Sequence, residues 1–185
     1  YSGSLGGWYQ EDQLATFAGL LKSRAPRRVA FLVLTHSPSQ HLEGLLAAAG
    51  LTRDEIIVRK VPPARMAEHL SAGDLALSFI KSCFSKLGSS PTKVAEYLAC
   101  GLPVVLNGDI GDQAELVAER DACVVLSSLS DSELARGVEQ ALPLAQAPLA
   151  QRTAATRAVA ERRFGLERVG IDRYENLYRA LVAGT

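Results

Sequence analysis

The sequence predicts an α/β doubly wound domain: a six-stranded parallel sheet with helices on both faces and extra helices at the C-terminal end. Three observations predict it. Short apolar runs alternate regularly with amphipathic helical stretches over residues 1–142. Several runs, among them VAFLVLT and LPVVL, are apolar on both faces, as parallel strands between two helix layers must be. The chain has 185 residues, 48% of them hydrophobic and 22% charged, enough for one domain with a full core.

Taken in order, the first strand-like run is YSGSL (1–5), followed by a glycine turn and a helix over 11–23. VAFLVLT (29–35) is the second strand, and a helix follows over 38–49. IIVRKV (56–61) is the third, broken by two prolines before a helix over 64–72. DLALSF (74–79) is the fourth, with a long Ser- and Gly-rich loop before a helix over 92–100 that Gly101 stops. LPVVL (102–106) and ACVVL (122–126) are the fifth and sixth, with helices over 112–119 and 131–141. After Pro143, PLAQAPLA reads as a proline-punctuated connection, and helices over 149–164 and 166–182 follow without another strand. The division is therefore a sheet-bearing domain over 1–142 and C-terminal helices over 143–185, packed on it or on a partner half. A chain that opens inside a strand pattern and closes on helices reads as part of something larger.

Charge and composition exclude several functions. Twenty basic and twenty acidic residues cancel, which argues against nucleic acid as a partner. The stretch 151–185, with seven Arg against four acids, reads as a solvated helix face. No apolar run approaches the roughly 18 residues of a membrane span, and the start does not read as a signal peptide. Cys83, Cys100 and Cys123 lack metal spacing and sit in apolar company, as buried thiols of a reducing, cytoplasmic compartment would. His36, His41 and His69 are scattered, and no metal site is expected.

In open parallel sheets a ligand sits beyond the carboxyl ends of the strands where their order reverses. For the order 3-2-1-4-5-6 this places the loops SGSLGGWY and IKSCFSKLGSSPTK at the crevice. Gly3, Gly6 and Gly7 permit close backbone approach to a phosphate, although a plain strand-to-helix turn needs the same residues. Trp8 and Tyr9 read as loop or core packing. In the second loop Ser90 is a candidate cap, Pro91 suits the first helical position, and the amides behind them lack intrahelical partners. Such a terminus attracts anions, and Lys93 adds a positive charge. Glu96 lies one turn beyond Lys93, a spacing that equally fits an i,i+3 salt pair. Arg59 and Lys60 end the third strand, facing either the crevice or solvent, and Asp74 reads as structural. Dinucleotide binding is disfavoured, since the glycines do not form G-x-G-x-x-G and the second strand ends in Thr35-His36-Ser37 without an acid. No Walker loop is present, and the strand ends lack the acids of a phospho-receiver.

SPTKVAEYLACGLPVVLN resembles the nucleotide-sugar-binding segment of GT-B-type glycosyltransferases of the retaining group 1 class. YSGSLGGWY is similar to the first strand and phosphate loop of their C-terminal domain, and VPPARMAEHLSAGDLALSFIK to the passage from third to fourth strand. The resemblance implies a Rossmann-like donor domain that binds a nucleotide-diphosphate sugar, with an acceptor bound by an N-terminal half outside this chain. It implies donor contacts from Gly3, Ser4, Leu5 and Gly6, and from Ser89, Ser90, Pro91, Thr92, Lys93 and Glu96. Lys60 and Lys81 are further candidates. Glu96 matches the second acid of the E-x7-E motif, which holds the donor ribose. The first acid would fall at Gly88 and is missing, as are the basic residues that many relatives carry after the first strand; Lys81, Lys86 or Lys93 stands in for them. The resemblance implies sugar transfer with retention, no cofactor beyond the donor substrate, and no metal; it assigns no catalytic residue. Two alternatives stand beside it: half of a sugar-nucleotide epimerase of the same architecture, and a non-catalytic nucleotide-sugar-binding domain.

Overall fold

A computed structural model describes residues 1–183. In chain order the elements are α1 Glu11–Arg24, β1 Phe31–Leu34, α2 Gln40–Ala48, β2 Ile56–Arg59, α3 Met66–Leu70, β3 Ala76–Ser78 and α4 Thr92–Ala99. They continue with β4 Val104–Asn107, β5 Cys123–Leu126, α5 Asp131–Gln146, α6 Leu149–Phe164 and α7 Asp172–Ala183. All strand pairings are parallel: β1 with β2 (Phe31 opposite Ile56), β3 with β4 (Ala76 opposite Val104) and β4 with β5 (Val104 opposite Cys123).

Strand alternation sorts the core into two layers. Val33, Leu77, Val105, Val124 and Leu126 face Leu14, Phe17 and Ala18 of α1, Leu42 and Leu46 of α2, and Val138 of α5. Leu34, Ala76, Val104, Leu106 and Cys123 face Leu70 of α3, Val94, Tyr97 and Leu98 of α4, and Val159 of α6. Each fully buried large apolar side chain contributes about 1.5–3 kcal/mol, so helices on both faces are needed to hold such strands. Burial also shifts the Cys123 thiol up to about 12, in keeping with an inert core residue.

The expected six-stranded sheet is not what forms. Among the described residues five strands make two sheets, β1-β2 and β3-β4-β5, and the YSGSL run contributes a single parallel bridge from Ser2 to Leu34. Tyr1 and Gly3 pair with β1: Leu34 N–H donates to the Tyr1 carbonyl (2.8 Å) and Gly3 N–H to the Leu34 carbonyl (3.0 Å). The groups of Ser2 point the other way, where the Tyr97 hydroxyl meets them: Ser2 N–H donates to it at 2.7 Å, and it lies 3.3 Å from the Ser2 carbonyl. Gly3, at φ +119°, then turns the chain out of extended geometry. A side chain from α4 thus takes up the backbone groups of Ser2 that point away from β1.

Further corrections are local. The helix expected over 131–141 continues through Pro143 to Gln146, because Leu142 and Leu144 pack on the core and Arg152 donates to the Ala145 carbonyl (2.9 Å). The helix expected over 112–119 is a 3-10 turn, Gln113–Ala118, and that over 64–72 is a 3-10 turn leading into the short α3. Cys83 lies half-buried in a loop with its sulfur 3.2 Å from the Ser85 hydroxyl, not in apolar company. Asp74 pairs with buried Arg152 (2.9 Å), which ties α6 to the sheet. α6 buries Arg152, Thr156, Val159 and Ala160, whereas α7 buries no residue.

Candidate functional site

The sequence of α4 explains how it seats the site. Val94, Tyr97 and Leu98 recur at helical spacing and are buried, and Gly101, at φ +86°, ends the helix. Lys93 and Tyr97, one turn apart, therefore lie on one face. That face clamps the first segment of the chain.

Lys93 is 8% exposed. Its Nζ lies 4.4 Å from the centre of the Tyr1 ring and 4.0 Å from that of Tyr9, and donates to the Tyr1 hydroxyl at 3.3 Å. The Tyr1 hydroxyl in turn donates to the Ser4 carbonyl. Cation–ring attraction holds the ammonium, but removal from water opposes its charge. Burial brings its pKa down to about 7, opposed in part by Glu96. The same burial raises the Tyr1 hydroxyl and shifts Tyr97 up to about 12.

The glycine loop is anchored at each end. Gly6 N–H donates to buried Glu11 (2.6 Å), Leu5 N–H to the Ser37 hydroxyl (3.1 Å), and Lys81 N–H to the Trp8 carbonyl (2.7 Å). Lys86 crosses from the second loop to lie 4.9 Å over the Trp8 ring. Among the described residues the N–H groups of Ser4, Gly7 and Trp8, and those of Ser90, Thr92 and Lys93 at the head of α4, make no hydrogen bond within the chain. Unpaired donors thus collect along both loops.

A brace supports the second loop from behind. The Asn107 side-chain amide takes both the N–H (3.0 Å) and the carbonyl (2.9 Å) of Ile80. Gly111 N–H donates to the Lys86 carbonyl (2.9 Å), and a Cβ at Gly111, which has φ +51°, would fall 1.6 Å from the Ser89 carbonyl. Only glycine fits that approach.

The predicted site residues divide by position. Gly3, Ser4, Leu5 and Gly6 form the first loop, and Ser89, Ser90, Pro91, Thr92 and Lys93 lead into α4. Ser90 does not cap the helix: Pro91 holds that position, and the Ser90 hydroxyl turns to Asp112 at 3.4 Å. Lys93, expected to add a positive charge at the head of the helix, is buried beneath Gly3. Glu96 is exposed, and no ion pair joins it to Lys93, so the i,i+3 salt pair is not made. Lys60 and Lys81 are exposed at strand ends and are not drawn to either loop by a side-chain contact. Gly88, exposed, has open space where a side chain would stand. Sequence reasoning missed Tyr1, Glu11, Ser37, Tyr97 and Asn107, which position the loops; the alternation of Ser2, Tyr97 and Asn107 with apolar neighbours was their only local signal.

A surface cavity of about 230 Å3 lies on the α6 side of Asp112, lined by Glu115, Arg162, Arg163, Phe164 and Arg173. Arg162 and Arg163 are already paired with Glu115 and Glu119, which leaves Arg173 as the lining cation without an ion pair among the described residues. The free donors lie at the two loops, which is where the chemistry points.

The family profile described as Glycosyl transferases group 1 matches residues 3–143, spanning both loops and the sheets. The chain belongs to this family. Among solved structures it is similar to WaaG, a glycosyltransferase involved in lipopolysaccharide biosynthesis (TM-score 0.68, 19% identity, 88% of this chain and 42% of that one). It is also similar to Anabaena Alr3699/HepE in complex with UDP (TM-score 0.65, 18% identity, 96% and 48%). A third is an E. coli trehalose-6-phosphate protein bound with UDP-2-fluoro glucose (TM-score 0.60, 14% identity, 87% and 40%). The chain spans less than half the length of each. The group 1 domain thus has the Rossmann-like GT-B fold of glycosyltransferases, and the epimerase alternative is not favoured. No curated protein is matched. Among the described residues no helix is long and apolar enough to cross a membrane.

Proposed function

We propose that this group 1 domain is the donor half of a retaining glycosyltransferase and binds a nucleotide-diphosphate sugar across its two loops. One observation carries the reading: the free amides of the Gly3–Gly7 loop and of the head of α4 are tied into one unit by Lys93, Tyr1 and Tyr97. Fixed donors of this kind suit a diphosphate, and they cost little to reorganise as negative charge develops on the leaving group. The diphosphate lies along Ser4, Gly7 and Thr92, and exposed Glu96 accepts from the ribose hydroxyls. The UDP-containing neighbours support the same ligand class. Acceptor binding falls to a second half outside this chain. The exposed Tyr174, Leu177, Tyr178 and Leu181 of α7 would pack on that half, and transfer needs both halves closed on the substrates.

The test is calorimetry with uridine, adenosine, guanosine and thymidine diphosphates on wild type and Glu96→Gln. The expected result is binding of at least one of them, weakened in the variant by about 1.5–3 kcal/mol, the worth of hydrogen bonds to an ionised group. The melting temperature should change little, because Glu96 makes no hydrogen bond or ion pair among the described residues and acts on Lys93 only through its field. Equal affinity in the two proteins would remove Glu96 from the site.

A further inference from the structure

We propose that Lys93 takes up a proton when an anion binds on the Gly3–Gly7 loop, and serves as that anion's counter-ion from beneath the loop. The inference rests on the donor-site reading and goes beyond it, since it assigns a linked proton and a buried charge to the binding step.

The geometry is specific. Gly3 is exposed on its outer side, and a Cβ built on it would lie 3.1 Å from Lys93 Nζ. Little more than a glycine backbone therefore separates the nitrogen from the surface on which an anion would rest. No carboxylate lies within ion-pair distance of Nζ among the described residues, although the group is more than nine-tenths buried. The groups facing it are the Tyr1 hydroxyl and amino group, the Tyr9 ring, and Glu96 and Tyr97 on its own helix; Glu11 is turned to the Gly6 amide. Three tyrosines and one exposed acid leave a buried amine without a matched counter-charge. Such a group favours its neutral form, in agreement with a pKa near 7. An anion above Gly3 supplies the missing charge through a poorly screened path, so the nitrogen gains an N–H bond with a proton drawn from solvent. By reciprocity, what raises proton affinity on anion binding also raises anion affinity on protonation.

Calorimetry of the same nucleoside diphosphates at pH 6 and pH 8, each in two buffers of different ionisation enthalpy, reads the proton directly. At pH 8 the terminal phosphate is already ionised, its second pKa being about 6, so any uptake belongs to the protein. The expected result is uptake of most of one proton at pH 8 and little at pH 6, with affinity roughly tenfold weaker at pH 8. Lys93→Met keeps the aliphatic stem and should abolish both the uptake and the pH dependence. Binding with the same heat in both buffers at pH 8 would overturn the proposal and leave the donor site standing. Uptake that persists in Lys93→Met would assign the proton to another group and overturn it equally. Absence of binding at both pH values would remove the donor site and this proposal together. If that variant does not fold, Lys93→Gln takes its place and must show the same loss of uptake.

Discussion

The Tyr97 hydroxyl accepts the N–H of Ser2 at 2.7 Å and sits 3.3 Å from the carbonyl of the same residue. One phenol thereby takes up both backbone groups of Ser2 that do not pair with β1. Fold and site meet in this contact.

Tyr97→Phe keeps the buried ring and strands both groups of Ser2. Leaving them unpaired should lower unfolding stability by about 1–3 kcal/mol, read by urea denaturation with an unchanged slope. An unchanged midpoint would mean that the Ser2 backbone finds other partners once the phenol is gone.

How far the sequence exposed this arrangement varies from residue to residue. The strand–helix order, α6 and the Gly101 stop were legible because periodicity and punctuation are local signals. The switch-point rule sets the two loops side by side, and in the structure Lys93 under Tyr1 and Lys86 over Trp8 do join them. The roles of Lys93 and Tyr97 were not legible, since they are set by Tyr1, Ser2 and Tyr9, some ninety residues away. Its neighbours in sequence offer Lys93 an anion or a salt pair with Glu96, and only the rings of Tyr1 and Tyr9 explain its burial. Pro143 misleads for the same reason: packing of Leu142 and Leu144 outweighs a local helix breaker. Ser90 looks like a cap, but its hydroxyl turns to Asp112 on a separate turn.

Burial of Lys93 predicts a pH dependence of stability. The folded-state pKa of about 7 lies below the unfolded value of 10.5, so above pH 7 the unfolded chain binds more protons than the folded one. The penalty for a buried charge is therefore fully present below pH 7 and relieved as pH rises toward 10.5. Relative to Lys93→Met, wild type should gain on the order of 2–3 kcal/mol between pH 6.5 and pH 9, at about 1.4 kcal/mol per unit. Denaturant titrations of both proteins at the two pH values measure it. A constant difference between them would show that the amine stays charged in the fold.

α7 contributes almost nothing to the packing of this domain. A chain ending at Ile171 should keep its stability within about 0.5 kcal/mol, because every removed apolar side chain is exposed. Ending at Ala147 instead removes Val159 from the core and the Arg152–Asp74 tie, and should cost more than about 3 kcal/mol. Thermal melts of the two truncations separate these cases. A large loss in the first would place α7 within this fold rather than against another half.

Gly88 offers the most direct test of what the site does with a sugar. It stands eight residues before Glu96, where the resemblance places the acid that contacts the transferred sugar. It is exposed, has open space around a would-be Cβ, and is not among the glycines with positive φ, so a side chain fits without strain. Gly88→Glu should therefore leave the melting temperature unchanged. If the donor's sugar lies over this loop, the new carboxylate gains a charged hydrogen bond of about 1.5–3 kcal/mol, which tightens nucleotide-sugar binding at least roughly tenfold. The nucleoside diphosphate without its sugar should gain nothing. Parallel titrations of wild type and variant with a matched sugar-bearing and sugar-free donor give the comparison. A gain confined to the sugar-bearing ligand places the sugar at Gly88, whereas equal change in both ligands, or none, would remove the sugar from this loop.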